Sequence, residues 1–330
     1  RSQLKEGDIL FSIAGTLGRT AKVTKRDLPA NTNQALALVR LINLGQLDFV
    51  TSVLNSKRTK KRIHELLSVG AQPNLSLSQV NDFAIPSPSP QEQKKISNFL
   101  QIIDEWIGNL KAQKQKWEEY KKGMTQKIFP SGAGQVSEIR FKDEDGNEFP
   151  EWEEKRLGEV AEVDPSISAL PQEFCYIDLE SVDDGQLNGY MRLSKDNAPS
   201  RAQRVLEKGD ILFQTVRPYQ QNNLFFNLDG DFVASTGYAQ IRAKQNSRFL
   251  YHYLHAQTFL RDVLARCTGS NYPAINSSDL KRITIRFPSE DEQQKIAGFL
   301  TAVDEMIHSH QQRIAQAEEW KKGLMQRMFV

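Results

Sequence analysis

Two segments of this 330-residue chain, 200 residues apart, carry one pattern. Glu92-Gln93-x-Lys95-Ile96-x-x-Phe99-Leu100-x-x-x-Asp104-Glu105-x-Ile107 returns as Glu292-Gln293-x-Lys295-Ile296-x-x-Phe299-Leu300-x-x-x-Asp304-Glu305-x-Ile307. Further on, Glu118-Glu119-x-Lys121-Lys122-Gly123 returns as Glu318-Glu319-x-Lys321-Lys322-Gly323. Across 92–129 and 292–329, 16 of 38 positions are identical. A second echo lies upstream: Gly7-Asp8-Ile9-Leu10-Phe11 matches Gly209-Asp210-Ile211-Leu212-Phe213, and Pro73-x-Leu75 stands opposite Pro273-x-Ile275. A period this long means two copies of a domain-sized unit, not a solenoid of short modules.

The repeated segments read as long helices. Gln91–Phe129 has no proline, and Ile96, Ile103, Leu110, Trp117 and Met124 fall every seventh residue. The second copy repeats this with Ile296, Val303, Ala317 and Leu324, interrupted by His310. That is a coiled-coil seam. At ~1.5 Å per residue such a helix spans about 58 Å. It cannot bury its stripe alone, so the two copies are expected to pair, parallel or antiparallel. Trp106, Trp117 and Trp320 are expected in that core. The seam leaves Lys121, Lys122, Gly123, Lys321, Lys322 and Gly323 unaccounted for, which makes them candidates for a partner-docking surface.

Before each helix the pattern is mixed. Asp8–Phe11, Ala35–Leu41, Asp210–Phe213 and Tyr238–Ala243 read as strands, and Asp48–Leu67 and Arg248–Arg266 as helices. The fold class is α/β (α+β): two small strand-rich domains, each followed by a long helix, in a pseudo-two-fold repeat. The expected segments are 1–89, the helix 90–130, a linker 131–148 around Ser131-Gly132-Ala133-Gly134, 149–289, and the helix 290–330. Trp152 stands 57 positions before Gly209, whereas six residues precede Gly7. About 50 residues of the first globular part are therefore expected to be missing, a truncation at the N-terminus.

Net charge is only +2, but it is uneven: +6 over 1–89, −12 over 138–184 and +7 over 185–289. Locally basic segments suit nucleic acid even when the sum cancels. No apolar run approaches the ~20 residues of a membrane span. Cys175 and Cys267 lack paired spacing, which excludes a disulfide framework and a four-cysteine zinc site and points to a reducing cytoplasm. His308 and His310 do not share a helix face and have no cysteine or carboxylate partner, so no metal site is expected there.

The duplicated helices, the helix ends with Lys-Lys-Gly, the two Gly-Asp-Ile-Leu-Phe strands and the opening Phe149-Pro150-Glu151-Trp152…Leu157-Gly158 resemble the specificity subunits of type I restriction–modification systems, over nearly the whole chain. The resemblance implies a subunit without catalysis. Each of its two target-recognition domains would read half of a bipartite, asymmetric site in double-stranded DNA. The helices, paired as an antiparallel coiled coil, would set the spacing and dock two methyltransferase subunits. Those subunits use S-adenosylmethionine to methylate adenine N6, and two restriction subunits add the ATP- and Mg-dependent translocase and nuclease. The chain itself would need no cofactor.

Arginine, asparagine and glutamine suit guanine and adenine edges, and hydroxyls suit phosphate. In the second domain the candidates for DNA contact are Ser200, Arg201, Arg204, Thr215, Arg217, Tyr219, Gln220, Asn222, Ser270, Asn271 and Tyr272. In the first they are Ser12, Thr16, Arg19, Lys22, Asn33, Gln34, Gln72 and Asn74. The plainer reading of each is an ordinary polar loop residue. Gly15-Thr16-Leu17-Gly18-Arg19 lacks the Lys-Ser/Thr ending of a nucleotide loop and reads as a tight turn. Lys57, Arg58, Lys60, Lys61 and Arg62 form a basic helix face, solvated or on phosphate. No Asn/Asp-Pro-Pro-aromatic loop, Walker loop or His-Glu-x-x-His is present, so catalysis is not expected in this chain. The alternatives are a coiled-coil adaptor that binds only proteins, and an enzyme with an unrecognised site. The basic segments weigh against the first.

Overall fold

The computed structural model describes residues 3–67, 73–129, 137–166, 169–269 and 271–329. The first globular part contains β1 (Ile9–Ser12), β2 (Thr20–Lys22), β3 (Leu36–Val39), α1 (Leu47–Leu54), α2 (Lys57–Leu66) and α3 (Leu77–Asn81), and leads into α4 (Pro90–Ile128). The second contains β4 (Glu153–Arg156), α5 (Leu157–Val160), β5 (Ala161–Val163), β6 (Glu173–Ile177), β7 (Val182–Asp183), β8 (Gln186–Leu187), β9 (Met191–Ser194) and β10 (Ala202–Val205). Then come β11 (Ile211–Gln214), β12 (Leu224–Phe225), β13 (Phe232–Ser235), β14 (Tyr238–Ala243), α6 (Ser247–Leu254), α7 (Gln257–Leu264), α8 (Ser277–Lys281) and β15 (Thr284–Phe287). The final helix is α9 (Glu290–Met328).

Two compact units emerge, and both long helices are shared between them: Arg1–Gln115 with His308–Val330, and Lys116–Ile307. The segments inferred from sequence set each helix apart. By packing, each helix instead belongs to one unit at its start and to the other at its end.

In the first unit the sheet runs β2-β1-β3, all antiparallel. Ile9 and Phe11 point inward at alternate positions and pack with Phe49, Val53 and Ile63 from α1 and α2. The same core takes Leu100, Ile103, Ile107 and Leu110 of α4, with Ile314 and Ala317 of α9. Here α4 and α9 run antiparallel: Asp104 pairs with Lys321, and Lys111 with Glu318 at 2.6 Å. His310, which interrupts the seam, is buried.

In the second unit one sheet runs β12-β11-β14-β5, all antiparallel. Another runs β10-β13-β6-β9, with β13 and β6 parallel. Strand β15 pairs with β4, and β7 with β8. The main core joins Phe213, Ile241, Phe249 and Phe259 to Ile128 of α4, the adjoining Phe129, and Ile296 and Leu300 of α9. The helices are again antiparallel, with Lys121 2.6 Å from Asp304. Asp104–Lys321 and Lys121–Asp304 are the same contact made once in each unit.

Three expectations need correction. The segments expected as single helices at Asp48–Leu67 and Arg248–Arg266 are each two. The buried Ser56 side chain accepts from the Thr59 N–H and starts α2 afresh, while Ala256 leaves the helical region before α7. Trp106 and Trp320 are exposed, because the seam is taken by Ile103, Ile107 and Leu110 and these rings lie off it. Lys121 and Lys321, thought to lie outside the seam's account, are held across it by Asp304 and Asp104.

One device recurs that the spacing did not reveal. Asp8 is buried and accepts from Arg40 Nε and a terminal guanidinium nitrogen, both at 2.7 Å. That guanidinium holds the Asp8 carboxyl below its ordinary range. Asp210 is buried and bound likewise by Arg242, at 2.8 and 2.9 Å. The Asp in each Gly-Asp-Ile-Leu-Phe strand therefore ties that strand to its neighbour.

Candidate nucleic-acid interface

Each Gly-Asp-Ile-Leu-Phe strand ends in a polar residue that folds the loop after it. In the first unit this is Ser12: its buried hydroxyl donates to Thr16 O at 2.5 Å and accepts from Arg19 N at 2.8 Å. In the second it is Gln214, whose Nε2 donates to Val216 O and to Gln220 Oε1 while its Oε1 accepts from Asn222 N. Asn223 Oδ1 accepts from the Gln214 N–H at 2.8 Å. Gln214 and Asn223 are buried, shape the loop, and were not among the sequence candidates. The available signal was a polar residue closing a buried apolar strand.

The next residue gathers three loops to one edge in both units. The Ile13 N–H donates to Ala35 O, and Ile13 O accepts from Leu75 N. The Thr215 N–H donates to Gly237 O, and Thr215 O accepts from Ile275 N. In the first unit this assembles the loops carrying Thr16 and Arg19, Asn33 and Gln34, and Asn74. In the second, Thr236 N donates to Arg201 O and Arg217 N to Pro273 O, so Ser200 and Arg201, Arg217 to Asn222, and Asn271 and Tyr272 share an edge.

At that edge Arg217 takes φ 54°, a left-handed conformation that costs an ordinary residue of order 1–3 kcal/mol. The bond to Pro273 O helps hold it. Its guanidinium lies 4.3 Å from the Tyr272 ring centroid, and Tyr272 is 63% exposed. Tyr219 and Gln220 are exposed beside it. The arrangement presents a cation and two aromatic faces on a fixed backbone, able to meet a phosphate or a base edge.

Several candidates turn inward instead. Thr215 is buried, its hydroxyl donating to Gly237 O at 2.8 Å. Arg204 donates to Asp164 at 2.8 Å, and both are largely buried; Asp164 also accepts from Ser277 Oγ and the Gln240 N–H. Ser12 is spent on its own loop. Lys22, paired with Asp48 at 2.7 Å, and Asn33, whose side chain accepts from the Ala35 N–H, stay exposed. Thr16, Arg19, Gln34, Asn74, Ser200, Arg201 and Asn271 are exposed. Gln72 and Ser270 lie outside the described residues, as does the Ser131–Gly134 joint. Lys122 and Lys322 are exposed, and Gly123 and Gly323 half-buried. Among the described residues no metal-binding group of His, Cys, Asp and Glu forms, and no helix is long and apolar enough to cross a membrane.

Comparison with known proteins places this architecture. The family model for the type I restriction modification DNA specificity domain matches residues 2–119 and 150–319. The type I restriction enzyme MjaVIII specificity subunit of Methanocaldococcus jannaschii is 24% identical, over 94% of this chain and 81% of that protein. The MjaIX specificity subunit of the same organism is 21% identical, over 98% and 77%. Among solved structures, a type I restriction–modification S subunit from M. genitalium superposes with a TM-score of 0.62 at 17% identity, covering 100% of this chain and 84% of that one. A chain from a study of assembly and conformational transition in a type I R-M system gives 0.60 at 18%, covering 99% and 82%. The chain belongs to the type I restriction–modification DNA specificity family, as a specificity subunit and not a catalytic one.

Proposed function

We propose that the two units read two unlike halves of one split, asymmetric DNA site. The observation that carries this is the edge built twice on the same backbone bonds with different side chains: Thr16, Arg19, Gln34 and Asn74 in one, Arg201, Arg217, Tyr219 and Tyr272 in the other. A shared frame with unlike contacts is what two unlike half-sites require. On this reading the paired helices fix the gap and dock two methyltransferase subunits, in the cytoplasm. S-adenosylmethionine, ATP and Mg act on the methyltransferase and restriction subunits. Lys122, Gly123, Lys322 and Gly323 are the proposed docking positions. The exposed Lys57, Lys60 and Lys61 on α2 add a phosphate-facing surface to the first unit.

Co-expression with a cognate methyltransferase subunit, followed by mapping of N6-methyladenine across the host genome, tests this. A split motif with unequal halves is expected; a continuous or palindromic motif, or none beside a stable complex, would overturn the two-reader assignment. Arg217→Ala is expected to weaken binding to that site about 10- to 100-fold, the range for losing one base-reading arginine, and to relax only one half of the motif. Thermal stability should change little, since Arg217 makes its side-chain contact with an exposed ring. Equal relaxation of both halves would exclude Arg217 as a reader.

A further inference from the structure

In the second unit, residues 139–156 cover the start of α9. Arg140 donates to both carboxylate oxygens of Glu292 at 2.9 Å, and Trp152 Nε1 donates to the same group. Phe141 packs on Phe299, which also meets Tyr120 of α4. Lys295 lies over the Phe149 ring, the Ile139 N–H donates to Lys127 O, and β4 pairs with β15. Farther along, β5 covers the far edge of β14.

In the first unit the counterparts of the covered groups are present and open. Glu292, Lys295, Ile296 and Phe299 correspond to the identical residues Glu92, Lys95, Ile96 and Phe99. Glu292 and Ile296 are 0% exposed, whereas Glu92 is exposed and Ile96 half-buried. Phe99 is 42% exposed and, among the described residues, its ring meets that of Trp320, itself exposed. Beside them Gln316, Glu319, Trp320, Gly323, Leu324 and Arg327 line an open groove of about 360 Å³. Its α4 counterparts include Met124, which joins the same core cluster as Ile139 and Phe141 in the second unit, and Lys127, whose carbonyl accepts from the Ile139 N–H. Among the described residues nothing pairs with the far edge of β3, the counterpart of β14, or with 84–87, the counterpart of β15. Pro86 is no obstacle to pairing there. Its counterpart Arg286 sends its N–H to Tyr253 Oη and away from β4.

We propose that this face of the first unit is an acceptor for an extended polypeptide segment carrying an arginine, a phenylalanine and a tryptophan in the spacing of Arg140, Phe141 and Trp152. The arginine and tryptophan close on Glu92, the phenylalanine fills the groove beside Trp320, and the following strands extend 84–87 and β3 by edge addition. The second unit supplies the chemistry of the occupant, because the helix residues it must meet are the same.

A labelled synthetic peptide of residues 137–166, titrated into the full chain, tests this. One peptide should bind per chain, with new hydrogen-exchange protection at Leu36–Val39 and 84–87. Glu92→Ala in the chain should weaken binding about thirtyfold, the order expected for losing a charged hydrogen-bonding partner. Arg140→Ala with Trp152→Ala in the peptide should abolish it, and that change leaves the folded chain untouched. No binding at millimolar peptide, binding indifferent to Glu92, protection at β14 and β15 instead, or a second copy of the chain seated on this face by light scattering would each overturn the proposal.

Discussion

Arg140→Ala is expected to destabilise the second unit by about 3–5 kcal/mol, whereas Glu92→Ala should cost the first unit less than about 0.5 kcal/mol. Glu92 is the counterpart of Glu292, the carboxylate that Arg140 binds, yet the surroundings of the two carboxylates are opposite. Glu292 is fully buried, and three donors converge on its carboxylate: Nε and a terminal nitrogen of Arg140, and the indole of Trp152. Removing the arginine leaves a buried carboxylate with one donor, and both ways out are costly: keeping an uncompensated charge or taking up a proton. Trp152→Phe removes a single bond to a charged acceptor and should cost about 1.5–3 kcal/mol. Denaturant titration followed by hydrogen exchange in each unit separates the transitions. Equal, small losses at Arg140 and Glu92 would mean that Glu292 is not the closed node described.

How far the sequence carried these conclusions depends on what each residue signals locally. The long helices were legible because seven-residue spacing and 200-residue identity are both written in the chain. The strands after Gly7 and Gly209 were legible for the same reason. Their function in the frame was not: an Asp before a buried strand does not announce Arg40 or Arg242 as its partner. The helix break at Ser56 is not legible in apolar spacing, because residues 55–62 carry no apolar side chain to set a period, and the Ser56 cap on the Thr59 N–H is what starts α2. Candidate contacts chosen by chemistry failed where the backbone turned them inward. Arg204 and Thr215 have the right groups for DNA, but Asp164 and Gly237 claim them. Gln214 is not singled out by sequence, because nothing in its spacing says that its amide turns back to close the loop after it. Which way a polar side chain points is a property of the assembled loops, and spacing alone does not hold it.

Acid is expected to loosen this same loop. His255 Nδ1 faces Tyr251 O at 2.8 Å and so carries the proton, leaving Nε2 to accept from Asn223 Nδ2 at 3.3 Å. A second proton on Nε2 would point at a donor. Burial, opposed in part by the bond to Tyr251 O, brings the His255 pKa from 6.5 down to about 4. His252 is lowered in the same direction, first by burial and then by Lys121. Both rings are therefore neutral in the folded chain at pH values where the unfolded chain takes up protons. Stability is therefore complete above about pH 6.5 and is lost as pH falls towards 4. Between pH 7 and 5, His255 alone should remove about 2 kcal/mol, with His252 adding to it. Because Asn223 also fixes the Gln214 N–H, and Gln221 Nε2 donates to His255 O, the first place to open should be the loop presenting Arg217. Denaturation of the second unit at pH 7, 6 and 5 reads the slope, and amide exchange at 214–223 reads the loop. His255→Asn should lower stability at pH 7 and flatten the slope. A slope unchanged in that variant would assign the acid sensitivity to other groups and detach it from the loop.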